Sequence, residues 1–149
     1  CNMKERLQKD LISAMKEHNR KKADTIKSVK AAIQMEEINS KKELSEEEML
    51  SIVTKQVKLR KDAVKDFEKA GRQDLIDSYN EEIDILNEYL PKPLTIEEIN
   101  SIIDEAFNVV NPKAQSDMGK IMKEISPKLK NRADMGEVNK IIKEKLSQI

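Results

Sequence analysis

Six basic side chains between Lys113 and Arg132 are the residues best suited to chemistry in this chain. Lys113, Lys120, Lys123, Lys128, Lys130 and Arg132 stand there against only Asp117 and Glu124. Lysine and arginine at that density suit phosphate oxygens, which they meet by charge and by hydrogen bonds. Gly119 falls beside an expected helix start, where backbone N–H groups can approach a phosphate closely. Asp117 counts against that approach, since a capping carboxylate would already occupy the positive helix end. Groups for stacking on single-stranded bases are scarce, with two Tyr, two Phe and no Trp. A nucleic acid held here would be read by shape and backbone, as a folded RNA is.

Other chemistry finds little material. His18 is the only histidine and Cys1 the only cysteine, so neither a zinc nor a haem centre is expected, and no cofactor. No nucleophile is marked with an aligned base. The three glycines are single and far apart, unlike a phosphate loop. Carboxylate runs such as Glu46-Glu47-Glu48 and Glu81-Glu82 read as solvated helix faces. An independent active site is therefore not expected.

Acids and bases balance, 28 against 28, so only their distribution is informative. From Gln73 to Glu105 there are ten acids and one base, Lys92. Two further basic clusters precede it. Arg20, Lys21, Lys22, Lys27 and Lys30 surround the first turn. Lys58, Lys61, Lys65, Lys69 and Arg72 recur at spacings of three and four, on a helix face away from its apolar stripe. Asp62, Asp66 and Glu68 dilute this stripe, which reads either as a solvated face or as an RNA-backbone contact.

The elements that must position these groups are helical. The chain has 149 residues, 38% hydrophobic and 38% charged, with few glycines and prolines, a composition that favours helix throughout. Apolar periodicity predicts a first helix over 3–18, with Leu7, Leu11, Ile12 and Met15 inward. Asn19 to Lys22 is expected to turn the chain. A second helix is predicted over 23–40 with Ile26, Val29, Ile33 and Ile38 inward. Ser45 and Glu48 form a capping box for a third over 46–70, which Gly71 ends. Its stripe is Met49, Val53, Val57, Val64 and Phe67. A fourth starts near Asp74, carries Leu75, Tyr79, Ile83, Leu86 and Leu90, and stops at Pro91.

Pro91-Lys92-Pro93 admits no helix. The expected architecture is thus all-α, with two helical bundles joined at Pro91–Pro93. One spans residues 3–90 with about four helices, the other residues 94–149 with about three shorter ones. Thr95 and Glu98 make a second capping box, opening a helix with Ile99, Ile103, Ala106 and Val110 inward. The run from Asp117 to Ile125 then repeats seventeen positions later from Asp134 to Ile142. In each copy Asp is a candidate N-cap and the apolar residues share one face. No apolar run reaches the roughly 18 residues that cross a membrane, and Lys4, Glu5 and Arg6 leave no room for a signal-peptide core. Cys1 and Asn2 precede Met3 and read as a cloning remnant. A single cysteine fits a reducing compartment, and a cytoplasmic location is expected.

Several of these segments resemble the GatB/YqeY family. They are Asp117-Met118-Gly119-Lys120-Ile121-Met122, Ile125-Ser126-Pro127-Lys128-Leu129-Lys130, Ala133-Asp134, Ala70-Gly71-Arg72-Gln73-Asp74-Leu75 and Glu88-Tyr89-Leu90-Pro91. The helix around Leu7 to Met15 and the run Ile26-Lys27-Ser28-Val29-Lys30 are similar to the free-standing YqeY proteins. The resemblance extends over Met3 to Ile149, with one departure: Asn131-Arg132 stands where family members usually carry a glycine. Asn can adopt the left-handed conformation such a glycine would use. The resemblance implies a larger and a smaller helical bundle. It also implies kinship with the tail of GatB in the glutamine-dependent Glu-tRNA/Asp-tRNA amidotransferase, which helps hold tRNA while amide formation happens elsewhere. The expected function is a non-catalytic tRNA-binding or accessory module of translation, with Lys113 to Arg132 facing the RNA. Two alternatives stay open. One is a protein–protein adaptor docking on an amidotransferase or aminoacyl-tRNA synthetase through Met118, Met122 and Met135. The other is carbon–nitrogen ligase activity with glutamine as amido-N-donor, as part of a complex.

Overall fold

Side-chain caps set where the helices of this chain begin. Asn2, Asn19, Ser45, Thr95 and Asp134 each accept a hydrogen bond from a first-turn N–H, satisfying donors that have no intrahelical partner. At Ser45 and Thr95 the third helical residue, Glu48 or Glu98, reaches back to complete a capping box. The computed structural model describes residues 2–149. Cys1, and with it that half of the cloning-remnant reading, lies outside the described residues. The chain is all-α. Among the described residues the helices are α1 (Met3–Lys16), α2 (Arg20–Ser40), α3 (Glu46–Ala70), α4 (Gln73–Asn87), α5 (Ile96–Val110), α6 (Met118–Leu129) and α7 (Met135–Leu146), with a 3-10 turn at Gln115–Asp117 and no strand.

The helices gather into two compact units, one ending at Leu90 and the other starting at Pro91. In the first unit, α1 to α4 enclose a core that includes Leu7, Ile26, Val29, Val53 and Leu86, all almost fully buried. Glu37 fastens the loop between α2 and α3. Its carboxylate accepts from the Leu44 N–H at 2.9 Å and pairs with Lys4 at 2.8 Å. Tyr89 closes the core behind α4. Its hydroxyl donates to Asp10, and the Arg6 guanidinium lies 4.5 Å over its ring. Burial, and then the Asp10 carboxylate, push the phenol above its ordinary pKa.

In the second unit α5, α6 and α7 share a core in which the internal repeat becomes visible. Ile121, Ile125 and Leu129 of α6 are buried, and so are their counterparts Val138, Ile142 and Leu146 of α7. Met118, Met122 and Met135 are partly buried and pack against the same core. They fill volume at the edge of that core.

Three expectations about the first unit need correction. Ile12 and Met15 are 45% and 56% exposed, and Ile38 is 62% exposed. The buried stripe of α1 is Met3, Leu7, Leu11 and Ala14. Ile12 lies five residues, or about 140°, beyond Leu7 and so faces outward. The second helix also starts earlier than expected. Asn19 is its N-cap rather than part of a loop, and Arg20 to Lys22 form its first turn.

The capping carboxylates make the helix starts sensitive to acid. Glu48 is held below its ordinary 4.5, first by the Ser45 N–H and then by Lys42. Glu98 is lowered by the Thr95 N–H and hydroxyl. A depressed folded-state pKa contributes stability that is full above the unfolded value and is lost as pH falls through the folded one. Urea midpoints should therefore hold level above about pH 5 and fall below about pH 4.5. In the Glu48→Gln, Glu98→Gln double variant the decline should be shallower. An equally steep decline would remove these caps from the cause.

Candidate nucleic-acid interface

Helix α6 and its two flanking turns position the six bases, and they divide them into two groups. Lys113 and Lys120 lie at the N-terminal end. Lys128, Lys130 and Arg132 lie at the C-terminal end and in the turn beyond it, and Lys123 stands between. All six are exposed. From Lys120 to Lys128 the helix rises about 12 Å. Lys120 and Lys123 fall on the side of α6 away from Ile121, Ile125 and Leu129, with Lys128 turned about 80° from Lys120. The structure thus brings together Lys128, Lys130 and Arg132, and sets Lys113 and Lys120 apart from them.

The turn after α6 carries the tighter group. The helix runs through Pro127 to Leu129, and Asn131 then adopts a left-handed φ of 62°. That is the conformation expected of Asn in place of glycine, and it reverses the chain so that Lys130 and Arg132 flank the corner. The Arg132 carbonyl accepts from the Leu94 N–H at 2.9 Å, tying this turn to the segment leading into α5. Glu98 stands close enough to Arg132 to feel its charge.

At the other end, Asp117 does not do what its position suggested. Its side chain makes no cap hydrogen bond to α6. Instead it accepts from the Lys113 N–H at 2.8 Å and pairs with Lys120 at 3.5 Å. The Lys113 N–H, first, and Lys120 after it hold this carboxyl below its ordinary value. Asp117 thereby engages Lys120 as an ion-pair partner, while Asp134 does cap α7, accepting from the Gly136 N–H at 2.8 Å. Gly119 is surrounded by open space: an added Cβ would meet nothing within 4 Å, so packing within the chain does not require glycine there.

The other basic clusters differ in how they are engaged. Lys21 lies 3.7 Å from Glu82 and Lys22 3.7 Å from Glu88, and Arg72 pairs with Asp74 at 3.0 Å. Lys21 and Lys22 thus link α2 to acids at and just beyond α4, while the Arg72–Asp74 pair is local and exposed. Lys58, Lys61, Lys65 and Lys69 are exposed along α3. Among the described residues no set of three or more His, Cys, Asp or Glu is placed to hold a metal ion. No helix is long and apolar enough to cross a membrane.

Known proteins share this sequence pattern. The family model described as Yqey-like protein matches residues 4–146. A protein of Pyrenophora tritici-repentis named "Altered inheritance of mitochondria protein 41, mitochondrial" is 28% identical over 142 residues, covering 93% of this chain and 78% of that one. A protein of the same name from Candida glabrata is 30% identical over 125 residues, covering 83% and 68%. Its namesake from Kluyveromyces lactis is 36% identical over 84 residues, 56% of this chain and 45% of that one. These names point to mitochondria and overturn the cytoplasmic expectation. A lone cysteine speaks to redox conditions, not to which membrane encloses them.

Proposed function

The chain belongs to the YqeY-like family, free-standing relatives of the GatB tail, and from that premise we propose that it is a non-catalytic module that holds folded RNA, tRNA foremost, by its phosphate backbone. The observation that carries this reading is the grouping of Lys128, Lys130 and Arg132 around the left-handed corner at Asn131. Three cations on a tethered turn meet successive phosphates without reading sequence. With no Trp and few other aromatics, stacking on bases contributes little, so shape decides the choice of RNA. Amide transfer by a glutamine-dependent ligase also needs a site for nucleotide activation of a carboxyl and a source of ammonia. The sequence carries a motif for neither, so such chemistry would belong to a partner enzyme, an amidotransferase or a synthetase.

The test is fluorescence anisotropy with labelled tRNA over a salt series. Binding should weaken steeply with salt, because each phosphate contact releases counterions. Replacing Lys128, Lys130 and Arg132 by Ala should cost about tenfold or more in affinity and reduce the salt slope by about two to three units. The same truncation of Lys58, Lys61 and Lys65 on α3 should change both less. A triple C-terminal variant that binds like the parent would sink this assignment.

A further inference from the structure

Helix α3 carries a row of cations that the RNA reading leaves unused. Lys58, Lys61, Lys65 and Lys69 follow one another at steps of three, four and four, and all are exposed. At about 100° per residue they share an arc of about 80°. None of the four is in an ion pair among the described residues. Asp62 and Asp66 border the row on one side, beside a fifth cation, Lys55, and Glu68 borders it on the other. The neighbouring helix carries the complement. Helix α4 has no base at all. Asp77, Glu81, Asp84 and, at its C-cap, Glu88 are exposed at steps of four, three and four, within an arc of about 60°. Asp77 accepts from Gln73 at 2.7 Å and Glu88 lies 3.7 Å from Lys22.

The two rows match in length. Each spans about 16 Å of helix rise, and laid side by side the four lysines and four acids fall opposite one another to within about 1.5 Å. Within one copy they cannot meet. Phe67 of α3 and Tyr79 of α4 touch edge to face at 5.1 Å, which marks the side on which each helix meets the other. The lysines lie about 120–180° around α3 from Phe67, and the acids about 140–180° around α4 from Tyr79. The rows therefore look outward from opposite sides of the helix pair. This arrangement decides among partners. A two-fold pair across the α3 face would set lysine against lysine. A polyanion such as RNA would use the lysines and leave the matched acids idle. A neighbouring copy related head to tail uses both.

We propose that copies of this chain associate head to tail, the lysine row on α3 of one copy lying against the acidic row on α4 of the next. Contacts of this heterologous kind close into rings or continue as open chains. Ion pairs between exposed groups are individually weak, so the association is reversible and depends steeply on salt. Charge complementarity fixes its register more than its strength.

Sedimentation of the full chain over a concentration series tests this. In about 20 mM salt the average mass should rise with concentration, and in about 0.3 M salt it should stay at that of a monomer. Two double variants probe the register: Lys61→Glu with Lys65→Glu, and Glu81→Lys with Asp84→Lys. All four positions are exposed, so helical circular dichroism should match the parent's. Each variant alone should stay monomeric in low salt, because like charges then face each other. An equal mixture should associate again, since each reversed row meets its reversed partner. A parent chain that is monomeric in low salt would overturn the proposal, and the salt series needs no variant. So would association that survives about 0.3 M salt, or a mixture of two folded variants that stays monomeric. Lysine reversal that abolishes tRNA binding while self-association persists would assign the row to RNA instead.

Discussion

Truncating Ile125 to alanine should destabilise the second unit by about 3–4 kcal/mol. Ile125 is fully buried in the middle of α6, among Ile103, Ile121, Val138 and Ile142. Removing its outer carbons loses transfer free energy and leaves a cavity that three short helices close poorly. The unit spans only Pro91 to Ile149, and a core of that size rarely contributes more than about 3–5 kcal/mol in total. The expected result is therefore loss of ordered structure in α5 to α7 rather than a modest shift. Amide hydrogen exchange gives the readout: protection at Ile121, Val138 and Ile142 should collapse. Val109→Ala, at a residue 64% exposed, should cost less than about 0.5 kcal/mol. Near-wild-type protection in α6 of the Ile125→Ala chain would mean the core repacks around the gap.

Arg60 is the second site of large effect. Its guanidinium is the most enclosed cation in the ion pairs of the described residues, with 13% of the side chain exposed. It donates to Glu82 at 3.2 Å, to the Gln56 side chain at 2.8 Å, and to the Ser28 hydroxyl at 3.2 Å. Three helices, α2, α3 and α4, meet at this one group. Glu82, 18% exposed, would be left by Arg60→Ala with Lys21 as its charged partner, 3.7 Å away. A half-buried carboxylate with poorer compensation costs about 2–3 kcal/mol. Replacing both partners, Arg60→Leu with Glu82→Leu, should recover most of that loss, since two apolar groups need no compensation. Urea midpoints of Arg60→Leu, Glu82→Leu and the double variant decide it. A double variant as unstable as the sum of the singles would show that packing of the arginine stem, not the ion pair, was at stake.

What the sequence by itself determined is what is decided within a few residues. The capping boxes at Ser45 and Thr95, the left-handed end at Gly71, and the left-handed Asn131 are local events. Their energies depend on neighbours three or four positions away, so residue types alone carry them. The buried stripes of α3, α5, α6 and α7 were legible for the same reason, because most of their apolar residues recur at helical spacing on one side. Helices α1 and α2 have them on two sides. Periodicity could not tell that Leu7, Leu11 and Ile33 go inward while Ile12, Met15 and Ile38 stay out. Only packing of α1 on α2, and of α2 on α3 and α4, selects the side. Tertiary structure alone also decided the long-range polar contacts. Arg60 finds Glu82 and Ser28 at separations of 22 and 32 residues, where nothing in the spacing announces a partner. It decided the candidate interface too. Of six bases that form one dense run in sequence, five lie at the two ends of a helix with Lys123 between, because about 12 Å of rise separates Lys120 from Lys128. Asp117, a cap by its position, bonds instead to Lys113, since the 3-10 turn before α6 points its carboxylate backward.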